Sequence, residues 1–407
     1  MLNKIVFKEL GHDNVHNSFF VENFSAKLTE IMIYLGQNNL KIGESVFAII
    51  VKLIFTMILA AVVTPFVRKI AIVLGAEDQP NQRRINKEPM PTLGGLGIFV
   101  AFTFATFILL RNQFPTHELI AVFCAECIIV LVGIIDDIRE ISPWKKLIGI
   151  VLASLVIYFL AGIRMSNLTI PFVGNFNLGW WQFPITILWI VAITNAVNLI
   201  DGLDGLATGV SIIGLFTMGV IGFFFLNVAN AYPSILIFCL VAALIGFLPH
   251  NFYPASIYLG DTGSLFIGFM IAVLSLKGLK NVTFVSLIIP IVILGIPIID
   301  TAYAIIRRSW NKEPIMRPDK RHLHHQLLRL GFTQRQTVLI IYGLALIFSF
   351  VSLLYPLSSR AGNVLLTIAI LVGVELLLEA IGITKLRLLK VAQKLSGRIN
   401  DHHLNDE

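Results

Sequence analysis

Asp136 and Asp137 stand side by side where an apolar run ends, in Gly133-Ile-Ile-Asp-Asp. If that run is a helix, both acids lie at its C-terminus, where the helix dipole and their mutual repulsion oppose them. Solvation of a helix end explains one acid. Two call for a neutralising partner, which is the setting of metal binding or proton transfer.

Asn195, Asn198, Asp201 and Asp204 recur every third residue through Thr194-Asn-Ala-Val-Asn-Leu-Ile-Asp-Gly-Leu-Asp-Gly. On one continuous helix they would share a face. Capping the next helix needs a single acid, with Gly202 and Gly205 permitting a turn. Four polar residues at one spacing exceed that need and read as a wall for a hydrogen-bonding ligand. Asn251-Phe-Tyr-Pro-Ala-Ser-Ile-Tyr-Leu-Gly-Asp-Thr-Gly-Ser adds an amide, tyrosines and an acid. Asp261 there is either an ordinary cap or a hard oxygen for Mg²⁺, and Tyr258 offers a ring face.

Two basic segments complete the set. Arg317-Pro-Asp-Lys-Arg-His-Leu-His-His-Gln carries imidazoles at His322, His324 and His325 beside Arg321. Histidine with cysteine would suggest zinc, but no cysteine accompanies these loops. A His/Arg cluster facing carboxylates suits a diphosphate whose charge is shared between Mg²⁺ and these donors; a solvated basic loop is the alternative. Asp78 to Gly95 is a second basic loop, interrupted by Pro80, Pro89 and Pro91. Its prolines fix its path and favour a site wall carrying Lys87.

Composition names the elements that must hold these loops. Of 407 residues, 56% are hydrophobic and 14% charged, and mean hydropathy is +0.83, far from soluble domains. The expected class is an all-α polytopic membrane protein. Apolar runs near the length that crosses a bilayer lie at roughly 46–67, 93–110, 118–135, 147–162, 182–200 and 207–227. Others follow at roughly 232–248, 262–276, 282–306, 337–356 and 361–383. About eleven transmembrane helices are expected, or ten without the short eighth span. The chain then divides into a polar N-terminal extension (1–45), a transmembrane catalytic domain (46–384) and a basic tail (385–407). The extension does not read as a signal peptide, and no function attaches to it.

Lys and Arg accumulate in cytoplasmic loops. Alternate gaps here hold Arg68, Lys69, Arg83, Arg84 and Lys87, then Arg139, Lys145 and Lys146, then a basic run from Arg307 to Arg335, then the tail. This puts the C-terminus in the cytoplasm, the N-terminus outside, and all five chemical clusters on the cytoplasmic face. The net charge of +7 follows from that topology and from anionic lipid or substrate at the inner face. Nucleic acid is not an expected partner. Cys124, Cys127 and Cys239 all lie within spans and read as packing thiols.

Taken in order, Asp136-Asp137, Asn198-Leu-Ile-Asp-Gly-Leu-Asp-Gly, Gly260-Asp-Thr-Gly-Ser and His322-Leu-His-His resemble the motifs of the polyprenyl-phosphate N-acetylhexosamine-1-phosphate transferases, the group containing MraY, WecA and TagO. The resemblance covers roughly residues 46–345. It implies transfer of a sugar-1-phosphate from a UDP-sugar to undecaprenyl phosphate at the membrane surface. Its Mg²⁺, with Mn²⁺ as alternative, would be held principally by Asp261 with help from Asp136. Asp136, Asp137 and Asp261 would be the catalytic residues, the first two assisting the lipid phosphate or the metal. Lys87, Asn198, Asp201, Asp204 and Asn251 would line the nucleotide-sugar pocket, Tyr258 would stack on uracil, and Arg321, His322, His324 and His325 would meet the diphosphate or sugar phosphate.

The His-x-His-His form resembles the WecA/TagO branch, since MraY has three consecutive histidines there. UDP-GlcNAc is therefore expected over UDP-MurNAc-pentapeptide, with priming of teichoic acid or another cell-wall polysaccharide at the bacterial plasma membrane as the pathway. The competing class is a transporter, because Lys52, Glu126, Glu375 and Glu379 lie within spans. Transporters gather polar groups near the bilayer midplane, whereas these clusters sit in surface loops. Lys52 can snorkel, and Glu375 with Glu379 share a face that lines a polar groove or meets a second copy, making a homodimer an expectation. Glu126 has no role legible in the sequence.

Overall fold

A computed structural model describes residues 42–79, 89–110, 116–170, 174–226, 232–278, 295 and 323–380. Nearly everything in it is helical, because a chain in hydrocarbon must satisfy its backbone N–H and C=O groups internally. The helices are α1 (Ile42–Leu74), α2 (Gly94–Phe104), α3 (Thr116–Arg139), α4 (Pro143–Phe159), α5 (Gln182–Ile200), α6 (Leu206–Ile221), α7 (Tyr232–Asn251), α8 (Gly260–Gly278), α9 (Leu323–Arg329), α10 (Gln334–Leu354) and α11 (Arg360–Ala380). Seven stretches among the described residues are long and apolar enough to cross a membrane. Helices occupy each expected span except 282–306, which lies outside the described residues. Two short antiparallel ladders interrupt the pattern. β1 (Glu77–Asp78) pairs with β2 (Met90–Pro91), and β3 (Asn167–Ile170) pairs with β4 (Gly174–Asn177).

α8 is the central helix. It packs on α2, α3 and α5, and Leu265, Phe266, Ile267 and Phe269 on it are wholly buried. Around it, α1 packs on α7, α6 on α7 and α10, and α4 on α3. Outer faces stay apolar and exposed, as with Val62 and Phe66 on α1 or Leu346 and Phe350 on α10. A helix apolar on all sides belongs in a core or a bilayer, and an exposed apolar outer face marks the bilayer.

An ion pair at one end and a hydrogen bond at the other set the register of α3 against α8. Lys277, near the end of α8, pairs with Glu118 in the first turn of α3. Asp261, in the first turn of α8, donates its amide to Asp137 in the last turns of α3. The helices therefore run antiparallel, and the acid-rich ends of both meet at one end of the bundle.

The loop between α7 and α8 is fastened to this end from several sides. The α2 amides of Gly94 and Gly95 donate to the carbonyls of Tyr258 and Leu259 at 3.0 and 2.9 Å, and the Tyr258 amide donates to Pro91 at 2.8 Å. These bonds give partners to first-turn amides that a helix leaves open. Arg68 donates its Nε to the Ser256 carbonyl at 2.9 Å. The β1–β2 ladder brings Glu77 and Asp78 beside Pro91 and Met90. Lys87 lies outside the described residues, as do Arg321 and His322.

Candidate active site

The centre of the acid-rich end is one ammonium group. Lys146, in the first turn of α4, pairs with Asp136 at 2.7 Å and with the Asp261 carboxylate. Asn198 donates its side-chain amide to the other Asp261 oxygen at 2.9 Å and to the Ser264 hydroxyl at 2.8 Å. Asp136 accepts the Ile141 amide on Oδ1 at 2.8 Å. Acids from α3 and α8, an amide from α5 and a cation from α4 thus form one bonded group. The ends of four helices supply it.

Asp137 has a different task from its neighbour. Its Oδ1 accepts the Asp261 amide at 2.8 Å, and its Oδ2 accepts the Thr262 amide and hydroxyl at 3.0 and 2.6 Å. It therefore caps α8 from another helix, in place of the N-cap residue that usually does so. Gly260, the first residue of α8, has φ 72°, and a Cβ on it would come within 2.5 Å of the Asp137 carboxylate. Only glycine leaves room for the capping acid. The sequence reading of Asp261 as an ordinary cap is replaced by Asp261 being held in place by a cap.

The Asn/Asp ladder breaks where the helix ends. α5 stops at Ile200, and Asp201 leaves helical geometry with ψ 61°, so the four residues do not share a continuous face. Asn195 donates back to Val191 of its own helix at 2.8 Å. Asp204 stands in the following turn, accepting the Ala255 amide at 3.0 Å and a hydrogen bond from Gln334. Neither Asp201 nor Asp204 caps α6; its N-cap is Gly205, without a side-chain bond. Of the ladder, Asn198 joins the cluster directly. Asp201 faces it through space, and burial together with the charges of Asp261, Asp137 and Asp204 holds its carboxyl well above the usual carboxylate range. Burial likewise raises Asp204, against the lowering effect of its hydrogen bonds.

The remaining residues brace or border this group. Asn251 is buried, accepting from the Thr208 hydroxyl at 2.8 Å and donating to the Ile257 carbonyl at 3.2 Å. It stands behind the surface, not on it. Tyr258 is half-buried on the loop held by α2. His324 is buried against Gly202, where a Cβ would come 2.6 Å from its Nε2, and its ring lies 4.2 Å from that of His325. The His324 ring thus closes over the Asp201-Gly202 turn.

Lys146 is the residue of this cluster that the sequence does not single out, since positive-inside topology already explains it. A signal was present. Lys145 and Lys146 follow Ser142-Pro143, a helix start, where the dipole disfavours cations, so one of them needed an acidic partner. Thr262 and Ser264 likewise stand out in the sequence only as parts of a motif.

Asp136 and Asp261 already hold one cation between them and present hard oxygens, which suits Mg²⁺. Among the described residues no group of three or more His, Cys, Asp and Glu could hold a metal alone. Phosphates and water would have to complete the shell, as is usual for Mg²⁺.

With that geometry in view, known proteins of similar sequence are informative. A family model described as Glycosyl transferase family 4 matches residues 119–279. A probable undecaprenyl-phosphate N-acetylglucosaminyl 1-phosphate transferase of Bacillus subtilis (strain 168) is 40% identical over 344 residues, covering 84% of this chain and 94% of the relative. A decaprenyl-phosphate N-acetylglucosaminephosphotransferase of Mycobacterium tuberculosis (strain ATCC 25618 / H37Rv) is 33% identical over 313 residues, 70% of this chain and 77% of the relative. A phospho-N-acetylmuramoyl-pentapeptide-transferase of Clostridium beijerinckii is 32% identical over 331 residues, 76% of this chain and 96% of the relative.

Proposed function

The chain belongs to the polyprenyl-phosphate N-acetylhexosamine-1-phosphate transferases, and from that premise we propose that it transfers GlcNAc-1-phosphate from UDP-GlcNAc to undecaprenyl phosphate. UMP is released, and undecaprenyl-diphosphate-GlcNAc remains in the membrane. The observation that carries this reading is the single cation held between Asp136 and Asp261, acids from two separate family motifs.

In this reaction an oxygen of the lipid phosphate attacks the β-phosphorus of the nucleotide sugar. One P–O bond forms, the bond to the bridging oxygen breaks, and that oxygen leaves with UMP. Near neutral pH a phosphate monoester carries about −1.5 to −2 charge, so the acceptor needs little deprotonation. Two anionic groups must instead be brought together. Catalysis of this kind rests on positioning and charge neutralisation, and Lys146 offers the cation at the point where the acids converge. Mg²⁺, when bound by Asp261 and Asp136, supplies further neutralisation of the phosphate oxygens and a template for the two substrates; Mn²⁺ shares the preference for such oxygen donors.

Asp137 acts here as a positioning residue, because both its oxygens are spent on the start of α8. Asn198 orients Asp261. Asp201 and the Tyr258 ring border the nucleotide sugar, while Asp204 and Asn251 hold the loops that form its pocket. Lys87, Arg321 and His322 belong to the same pocket by motif, with His324 and His325 at the diphosphate. The positive-inside distribution of Lys and Arg supports an N-terminus outside, a C-terminus inside and a site facing the cytoplasm of a bacterial plasma membrane.

The sequence His322-Leu-His-His supports the GlcNAc branch, as does the higher identity to the Bacillus relative than to the muramoyl-pentapeptide transferase. Teichoic acid or another wall polysaccharide is then the product of later steps. Purified protein with undecaprenyl phosphate and Mg²⁺ should release UMP from UDP-GlcNAc and not from UDP-MurNAc-pentapeptide. Release from the peptide-bearing donor alone would reverse the choice of branch, and release from neither would reject the function.

A further inference from the structure

The hairpin of α3 and α4 carries a second feature on its outer side. An open groove of about 610 Å³ runs between the two helices, with Ile135, Ile148 and Leu152 along it and Arg139 and Lys145 at its rim. The three apolar residues are each about half exposed, on helices whose outer faces meet lipid. Trp144, beside Lys145, is 63% exposed at the same level, and tryptophan gathers at the membrane–water boundary. A groove with an apolar length and a cationic head, at that depth, matches an amphiphile with an anionic head.

Adjacent lysines on α4 separate this groove from the acid cluster. Consecutive helical residues point about 100° apart. Lys146 turns in to Asp136 and Asp261, while Lys145 turns out to the groove. Among the described residues neither Arg139 nor Lys145 is in an ion pair. Glu140 also borders the groove, which leaves the rim with net positive charge.

The head of the groove is the turn that holds Asp136. Ile141 and Ser142 line it. The Ile141 amide donates to Asp136 Oδ1 at 2.8 Å, the Glu140 amide donates to the Asp136 carbonyl at 2.8 Å, and the Ser142 carbonyl accepts the Lys145 amide at 2.9 Å. Glu140 itself sits at φ 45°, a conformation a non-glycine residue adopts only when its surroundings impose it. The lining of the groove thus includes the segment that orients an acid of the cluster.

We propose that this groove binds an anionic glycerophospholipid of the surrounding bilayer, its phosphate between Arg139 and Lys145 and an acyl chain along Ile135, Ile148 and Leu152. Occupancy steadies the turn at 140–142 and with it the Asp136 carboxylate. The lipid is not the acceptor substrate, because the reacting carboxylates lie on the other side of α4's first turn. The binding site stands apart from the transferase reading; its coupling to the Asp136 carboxylate rests on that reading.

Full-length protein is equilibrated with vesicles of phosphatidylcholine and phosphatidylglycerol and re-extracted in detergent, and the lipids still bound are counted by native mass spectrometry. Wild type should keep phosphatidylglycerol and lose phosphatidylcholine. The double variant Arg139→Gln/Lys145→Gln should keep roughly tenfold less phosphatidylglycerol, and Leu152→Trp, which fills the apolar seat and leaves the charges, should also keep less. These are exposed positions, so thermal unfolding in detergent alone should match wild type; were the double variant unfolded, each single variant would carry the same comparison. Equal retention by wild type and the charge variants would overturn the site. Displacement of phosphatidylglycerol by equimolar undecaprenyl phosphate would overturn the occupant and give the groove to the acceptor. In nanodiscs, UMP release should rise with phosphatidylglycerol for wild type and stay flat for the double variant; a rise in both would overturn the coupling to Asp136.

Discussion

Asp137 accepts the backbone amide of Asp261 at 2.8 Å, across 124 residues of sequence. Its other oxygen takes both donors of Thr262. One acid of the α3 pair is thereby committed to aiming the acid of α8, while the other, Asp136, shares Lys146 with it. Adjacent carboxylates that look alike in sequence divide into a positioning group and a charge-bearing one.

Replacing Asp137 by Asn keeps one acceptor oxygen and turns an amide donor towards Thr262. Loss of a helix cap costs about 0.5–2 kcal/mol, so Asp137→Asn should lower the unfolding temperature in detergent and reduce kcat for UMP release while leaving the KM for UDP-GlcNAc near wild type. Thr262→Val in that background should add little, because the two side chains act on one interaction. Additive losses would separate them.

Lys146→Met leaves Asp136 and Asp261 facing each other without a cation. Activity should fall by about 10²–10³-fold, the loss seen when one preorganised donor to developing charge is removed, and Lys146→Arg should retain part of it. Since the ammonium and Mg²⁺ seek the same oxygens, added Mg²⁺ should raise the unfolding temperature of Lys146→Met more than that of wild type.

A side chain at Gly260 meets two obstacles, the left-handed backbone and the Asp137 carboxylate. Gly162 has a similar φ of 64° with nothing within 4 Å. Gly162→Ala should show backbone strain alone, about 1–2 kcal/mol, with activity kept. Gly260→Ala should lose more stability, and activity with it. Equal effects in thermal unfolding would remove the steric argument.

Asp201 titrates with its carboxyl raised by burial and by three neighbouring acids. A raised folded-state value means that the folded chain binds the proton more tightly than the unfolded chain does. Stability from this group is present below the ordinary carboxylate range and is lost as pH climbs through the raised value. Asp201→Asn should therefore stabilise the protein near neutral pH and change little in acid, as measured by unfolding temperature across a pH series. A stabilisation that grows towards acid would contradict the sign.

Much of this was legible in the sequence. Hydropathy locates the spans because backbone in hydrocarbon has no option but helix, and Asp136, Asn198 and Asp261 are visible as polar residues at span ends. What stayed hidden was the partnering. The three-residue spacing from Asn195 to Asp204 suggests one helical face, yet α5 ends at Ile200 and a turn takes Asp204 to Ala255 and Gln334. Asn251 looks like a ligand-binding amide and is consumed by Thr208 and Ile257. Lys146 looks like topology and is the cation of the cluster. Each depends on which helix lies beside which, and local periodicity does not encode that.

The most direct measurement follows the phosphorus. UDP-GlcNAc labelled at its β-phosphate is incubated with undecaprenyl phosphate, Mg²⁺ and the purified protein, and label is traced into the lipid phase while the nucleotide product is identified. Sugar-1-phosphate transfer puts the label in the lipid with one UMP per labelled lipid, and Asp261→Asn reduces both together. Label remaining in UDP or appearing as water-soluble phosphate, or full activity in Asp261→Asn, would contradict the assignment of this chemistry to this cluster.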